Sequence, residues 1–245
     1  MMRKGKKQKD KFFRKGKCCT FATNKKALEM TTELVIFDLD GTLLNTIGDL
    51  AASCDVVLAK HGLPQHTYEE YCHFVGNGIL RLVERAIPLE KRTKELVEQV
   101  RRDFVAYYTE HIDIHTRPYE GIVALLEELQ RRGVKLAVAS NKFQAGTEKL
   151  VQRYFPEIHF DAVYGQRPDV ALKPDPQIVY DILNQVPTER EKVLYVGDSG
   201  VDIETAQAAG LRNVGCSWGF RQRAELIGKG ADHVVDHAAE ILEYI

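Results

Sequence analysis

From residue 33 onward, short apolar runs alternate with helical patterns, and few folds accommodate that alternation. LVIF (34–37), KLAVAS (135–140), FDAVYG (160–165), KVLYVGD (192–198), RNVGCS (212–217) and HVVD (233–236) each read as a strand buried on both faces. Helical patterns occupy 120–132, 144–154, 175–185, 201–209, 222–229 and 237–244, with Gly133 and Gly210 where helix C-terminal glycines belong. The pattern predicts right-handed β-α-β crossovers and a parallel sheet covered by helices, an α/β class fold. The rhythm breaks once. Between 46 and 117 the chain offers helical patterns such as IGDLAASCDVVLAKHG and KELVEQVRRDFVAYYTEH but no convincing strand. Such an interval is far too long for a loop. It predicts an inserted all-helical cap over 46–117, with 31–45 and 118–245 forming the core. The joints are expected near 44–48 and 115–120, with Pro118-Tyr119-Glu120-Gly121 turning the chain back to the sheet.

Composition limits the setting. With 245 residues, 44% hydrophobic and 28% charged, the chain can bury a sizeable core. No apolar run approaches the roughly 18 residues a bilayer span requires, so no membrane partner is expected. Cys18, Cys19, Cys54, Cys72 and Cys216 are odd in number, scattered and free of C-x-x-C, which predicts neither a disulfide framework nor a zinc site. A reduced, cytoplasmic location fits that usage. Charge is unevenly placed: residues 1–30 carry eleven Lys and Arg against Asp10 and Glu29, net +9, so the rest carries −10 within a total of −1. The segment reads as a basic, disordered tail. It has no 7–15-residue apolar stretch for a secretory signal and no serine for a transit peptide. Lysine runs adhere to phosphates without specificity, so a nucleic-acid-binding arm is physically possible, but the composition does not favour a nucleic acid partner. The tail is read as contributing nothing to function, and Met30, just before the first strand, would serve as a natural start.

The apolar strand at 34–37 runs straight into Asp38 and Asp40, where unpaired carboxylates would be costly to desolvate. In an open parallel sheet, ligands collect beyond the carboxyl ends of the strands. Reading those ends gives Asp38 after the first strand, Ser140 after the second, Lys173 in LKPDP after the third, and Gly197-Asp198 after the fourth. Carboxylates that hold a hard divalent cation, a hydroxyl and a lysine form a coherent set for phosphoryl transfer. A strand-terminal Asp is often only a helix cap, and a lone Lys-Pro is usually surface, but capping explains none of the shared location. The eight histidines form no H-x-x-x-H pair and are assigned to no metal.

DLDGT, ASN, KPDP and GDSGVD, in that order along sheet strands, resemble the haloacid dehalogenase (HAD) superfamily of phosphatases over residues 33–245. The resemblance implies a Rossmann-like parallel-sheet core with a helical cap. It further implies Asp38 as the nucleophile that forms an aspartyl-phosphate, and Asp40 as the acid and base that serves the leaving group and then water. Magnesium, Mg2+, would lie between the Asp38 carboxylate, the backbone carbonyl of Asp40 and Asp198, with Asp202 binding or orienting a metal water. Ser140 would hydrogen-bond a phosphoryl oxygen, and Lys173 would stabilise both the nucleophile and the pentavalent charge. Asn141 and Ser199 are supporting contacts, and Gly41 suits close approach of backbone to phosphate.

Dehalogenases of the superfamily lack the acid at the Asp40 position, and phosphonate hydrolases resemble D-x-A-G-T, so Asp40 favours phosphate esters. The cap segments GDLAASCDVVLAKHGLP and FVGNGILRLVERAIP resemble those of bacterial phosphoglycolate phosphatases. Gly76, Asn77 and Gly78 would form a turn into a helix whose free N–H groups receive a small carboxylate, and Arg81 would add a charged clamp. Val201 and Asn45 depart from that pattern, which bears on substrate preference rather than on the reaction. The expectation is therefore Mg2+-dependent hydrolysis of a small phosphorylated metabolite, 2-phosphoglycolate first, by a monomer or homodimer. A broad sugar-phosphate phosphatase, an inorganic pyrophosphatase and a β-phosphoglucomutase remain open, as does, from another class, a nucleic-acid-binding module using the tail.

Overall fold

The computed structural model describes residues 31–245; the expectations for the basic tail and for Met30 lie outside the described residues. Strand β1 (Leu34–Phe37) is buried along its whole length. Alternate residues serve opposite faces, as a pleated strand requires. Leu34 and Ile36 join Ala137, Tyr195, Val179 and Ile182 on one face of the sheet. Val35 and Phe37 join Leu126, Val138 and Val196 on the other, where the apolar cluster continues into the cap. Every position of β1 therefore buries an apolar side chain, which explains why the run reads as continuously hydrophobic.

The cap follows directly. Strand β2 (Leu44–Asn45) leads into helices α1 (Ile47–Lys60), α2 (Tyr68–Phe74), α3 (Gly78–Ala86) and α4 (Lys94–Glu110), after which β3 (Arg117–Pro118) returns the chain to the core. The sequence showed no strand here, yet β2 and β3 pair antiparallel, Leu44 with Pro118 and Asn45 with Arg117. Two-residue strands carry no periodicity, so no pattern announces them. Beside this pair the buried Asp49 accepts from the N–H groups of His115 (2.8 Å) and Thr116 (2.9 Å) and from the Thr116 hydroxyl (2.7 Å). The start of α1 and the exit from the cap are thus fastened to each other.

The core completes with α5 (Ile122–Arg131), β4 (Lys135–Phe143), α6 (Gln144–Tyr154), β5 (Ala162–Gln166), α7 (Gln177–Gln185), β6 (Val193–Gly197), α8 (Gly200–Ala209), β7 (Arg212–Cys216), α9 (Arg223–Gly228) and β8 (His233–Val235). The segment 238–244, expected to be α-helical, forms a 3-10 helix instead. The six core strands are all parallel in the order β5-β4-β1-β6-β7-β8. The chain builds outward from β1 on the β4 side and then crosses to begin again at β6. The crevice between β1 and β6 is therefore the switch point at which such sheets bind ligands. Strand β4 runs past its expected end at Ser140 to Phe143, and its register against β5 shifts between Ala139 and Phe143. That irregular stretch carries Ser140, Asn141 and Lys142. Among the described residues no helix is long and apolar enough to cross a membrane.

Asp49→Ala leaves the backbone N–H groups of His115 and Thr116 without an acceptor, while the Thr116 hydroxyl keeps the Ile112 carbonyl, and is expected to lower stability by about 3 kcal/mol, read as a shift of the denaturant midpoint. A midpoint unchanged from the parent protein would show that the cap exit is fastened elsewhere.

Candidate active site

Asp38 sits at the carboxyl end of β1 and its backbone N–H still belongs to the sheet, donating to Val196 O at 2.9 Å. Its side chain enters the crevice, where Lys173 Nζ lies 2.9 Å from Oδ1. Nζ also donates to Asp202 Oδ1 (2.7 Å), Ala139 O (2.8 Å) and Tyr195 Oη (3.2 Å). Asp38 is thus a buried carboxylate held against one ammonium, and it lines the cavity where an electrophile can meet it.

Asp198 and Asp202 reach the same point from the β6–α8 turn, and oxygens of Asp38, Asp198 and Asp202 lie within 4.8 Å of one another, all three residues buried. Asp202 is fully engaged: Oδ1 meets Lys173 and Tyr195, while Oδ2 accepts from the backbone N–H (3.1 Å) and hydroxyl (2.6 Å) of Ser199. Asp198 is held more lightly, by Phe220 N–H at 2.7 Å and the Thr42 hydroxyl at 3.5 Å. Room for its carboxylate exists only because residues 41 and 219 are glycine; a Cβ at either would run into it. Gly41 also adopts φ +93°, a region that penalises any side chain.

The electrostatics follow from burial. Loss of water pushes Asp38 up from 3.8 to about 7, with Lys173 pulling it down and Asp202 raising it. Burial likewise holds Asp198 well above the usual carboxylate range, reinforced by Asp202 and Asp38. Burial opposes the charge on Lys173, but Asp202 and Asp38 outweigh it and keep the ammonium above its ordinary value. One ammonium against three buried carboxylates leaves negative charge uncompensated, and a hard divalent cation bound through these oxygens balances it. The donor set, all oxygen and partly free on Asp38 and Asp198, fits the metal site of the family identified below.

Asp40 stands apart from that cluster. Its two oxygens lie 3.0 and 3.1 Å from Lys142 Nζ, whose third neighbour is the Tyr108 hydroxyl of α4 at 2.7 Å. Its carboxylate does not join the three metal-facing acids, which leaves only its backbone for the ligand role expected of it. Ser140, Asn141, Gly76 and Gly78 line the same cavity as Asp38 and Asp40. Asn141 fastens the arrangement, donating to Gly76 O (3.0 Å) and Lys173 O (3.1 Å) and accepting from Lys173 N–H (2.9 Å). Asn77 and Arg81 do not line this cavity. They border a neighbouring groove with Arg85 and Leu172, and Arg81 is paired with Glu84 at 2.6 Å with its side chain 62% exposed. Arg85, by contrast, braces the turn, donating to Phe74 O and to Asn77 Oδ1, both at 2.8 Å.

Sequence reasoning missed Lys142, Tyr108 and Arg221. Arg221 follows β7 and donates to the carbonyls of Cys72 and, at 2.8 Å, Val75, which ties the core to the end of α2. Lys142 carried one legible signal, a lysine two residues past an apolar strand that had nowhere exposed to go. Tyr108 and Arg221 carried none, because their partners are remote in sequence.

Strand-end carboxylates at a parallel-sheet switch point, with a lysine and a helical lid above them, define a phosphoryl-transfer hydrolase. Residues 35–216 match the family model described as haloacid dehalogenase-like hydrolase, and the chain belongs to that family. It is 33% identical over 196 residues to a phosphoglycolate phosphatase of Mesorhizobium japonicum, covering 79% of this chain and 86% of that one. It is 31% identical over 225 residues to an N-acetylmuramic acid 6-phosphate phosphatase of Pseudomonas aeruginosa, covering 88% and 96%. A crystal structure from Lactobacillus delbrueckii subsp. bulgaricus superposes with a TM-score of 0.84 at 33% identity, covering 88% of this chain and 99% of that one. Family and site together make the chain a phosphoric monoester hydrolase.

Without a cation the folded chain holds the Asp38 proton more tightly than the unfolded chain does. Its contribution favours folding below pH 3.8 and is lost as pH rises through about 7. A divalent cation displaces that proton, so the rise in Tm on adding Mg2+ to chelator-treated protein is expected to be larger at about pH 8 than at about pH 5.5. An equal rise at both would contradict a cation bound to these carboxylates.

Proposed function

We propose that the enzyme hydrolyses a small phosphorylated acid, 2-phosphoglycolate first, through a phosphoryl group carried on Asp38. An Asp38 oxygen bonds to phosphorus as the ester P–O bond breaks, and Asp40 gives its proton to the departing alkoxide. Water then attacks the phosphorus, Asp40 takes the water proton back, and the Asp38–phosphorus bond breaks to release inorganic phosphate. Lys173 and the Ser140 hydroxyl offset charge on the transferring group. Asp38, Asp198 and the backbone carbonyl of Asp40 would hold Mg2+, with Asp202 orienting a metal water. When bound, the ion supplies charge neutralisation for the phosphoryl oxygens.

The observation that carries the reading of the reaction is the Asp38 carboxylate at the cavity wall, 2.9 Å from the Lys173 ammonium and grouped with Asp198 and Asp202. The substrate rests on the cavity lining and on the relatives. The cavity between cap and core has Leu50, Val75, Ile79, Leu82 and Phe143 on its apolar side. The first turn of α3 borders it, and its free N–H groups can receive a carboxylate. The relatives at about a third identity that are phosphoglycolate phosphatases support the same choice. The Pseudomonas aeruginosa relative supports a second reading, a sugar-phosphate phosphatase.

A phosphate-release panel separates these readings. With Mg2+, kcat/KM for 2-phosphoglycolate is expected to exceed that for hexose phosphates by at least about tenfold, and Asp38→Asn to lose at least about 10³-fold on every ester. A sugar phosphate ranking first would replace the substrate and leave the reaction standing, whereas an active Asp38→Asn enzyme would remove the covalent route.

A further inference from the structure

Lys142 is a buried lysine that plays no part in the chemistry so far described. Its side chain is 2% exposed, it touches none of the three metal-facing carboxylates, and its neighbours are the two oxygens of Asp40 and the Tyr108 hydroxyl. Tyr108 is completely buried and its ring is fixed by the cap and core together. It stacks on Phe104 of α4 at 5.3 Å and meets Phe143 edge-on at 6.4 Å. The ammonium also lies 4.8 Å from the centre of the Tyr108 ring, which adds a cation–π attraction. Asp40, Lys142 and Tyr108 all line the reaction cavity.

We propose that Lys142 is a positioning residue for Asp40, and that Tyr108 makes its position depend on the cap. The inference rests on Asp40 being the proton donor to the leaving group. A carboxyl group transfers a proton efficiently only from within hydrogen-bond reach of the oxygen that receives it. Asp40 is the least buried of the site's acids, with its side chain 18% exposed, and Lys142 holds both of its oxygens. Lys142 is in turn held by a hydroxyl that only the seated cap provides. Through its bond to Tyr108 and its ion pair with Asp40, Lys142 links α4 of the cap to the β1 end of the core and fixes the donor while substrate is enclosed.

The consequence is a dependence on the leaving group. p-Nitrophenyl phosphate expels a stable anion that needs little protonation, whereas phenyl phosphate, of nearly the same shape, expels one that needs it. In the full chain with Mg2+, Lys142→Met is expected to lower the phenyl-to-p-nitrophenyl ratio of kcat/KM, which reports the step that expels the leaving group, by about tenfold or more. Tyr108→Phe, which removes one oxygen and keeps the ring packing, is expected to lower the same ratio by a smaller factor; it answers the question even where Lys142→Met folds poorly. A loss of kcat/KM in Lys142→Met that is equal for the two esters would make it a folding or anion-binding residue and overturn the positioning role. An unchanged ratio in Tyr108→Phe would overturn the dependence on the cap. Asp40→Asn in the same assay separates the two levels. A selective loss of kcat/KM there upholds the acid whatever Lys142 shows, and an equal loss of kcat/KM on both esters removes the acid and the positioning role with it.

Discussion

Three carboxylates and one ammonium share a water-poor crevice, and much of the molecule is arranged to make that tolerable. Lys173 is shared among Asp202, Tyr195, the Ala139 carbonyl and Asp38, so one ammonium serves two of the three acids. Asp202 is saturated by Ser199 and Lys173, which fixes the network on the α8 side. Asp198 is the most loosely held of the three and occupies room left by Gly41 and Gly219. The residual negative charge of the three acids is what would attract a divalent cation and, with it, a phosphoryl group. Binding energy is thus stored in the fold as uncompensated charge.

The cap does more than cover the crevice. Three of its polar contacts with the core are formed by residues adjoining the catalytic centre, besides peripheral ones such as Lys149 to the Thr109 carbonyl. Asn141 joins Gly76 of the cap turn to the backbone of Lys173, and Lys142 joins Tyr108 to Asp40. Arg221 grips the end of α2 one residue after Phe220, whose N–H holds Asp198. A shift of the cap therefore reaches the lysine, the acid and a metal-facing carboxylate together. Beneath these contacts the apolar cluster runs without interruption from Phe37 and Val138 to Phe104 and Tyr108, so a seated cap also buries hydrocarbon.

Periodicity and strand-end chemistry made the sheet and most of its site legible. Asp38, Ser140, Lys173 and Asp198 were found by asking what stands where each buried run ends, because a parallel sheet gathers those ends at one edge. Local signals failed where structure depends on partners remote in sequence. The β2–β3 pair is too short to show a period, and Lys142 lies beyond the point at which β4 was expected to stop. Arg81 looked like a clamp by its place in the first turn of α3. Arg81 pairs instead with Glu84, one turn along the same helix, and borders the neighbouring groove.

The covalent route is tested most directly by stopping the first turnover with acid and locating the phosphoryl group by peptide mass spectrometry. Transfer to Asp38 predicts a phosphorylated peptide containing LVIFDLDGTLL, with the group on Asp38 and none on the Asp38→Asn protein. Phosphate released at full rate while no peptide carries the group at any time in the turnover, or a group found on a residue other than Asp38, would contradict it.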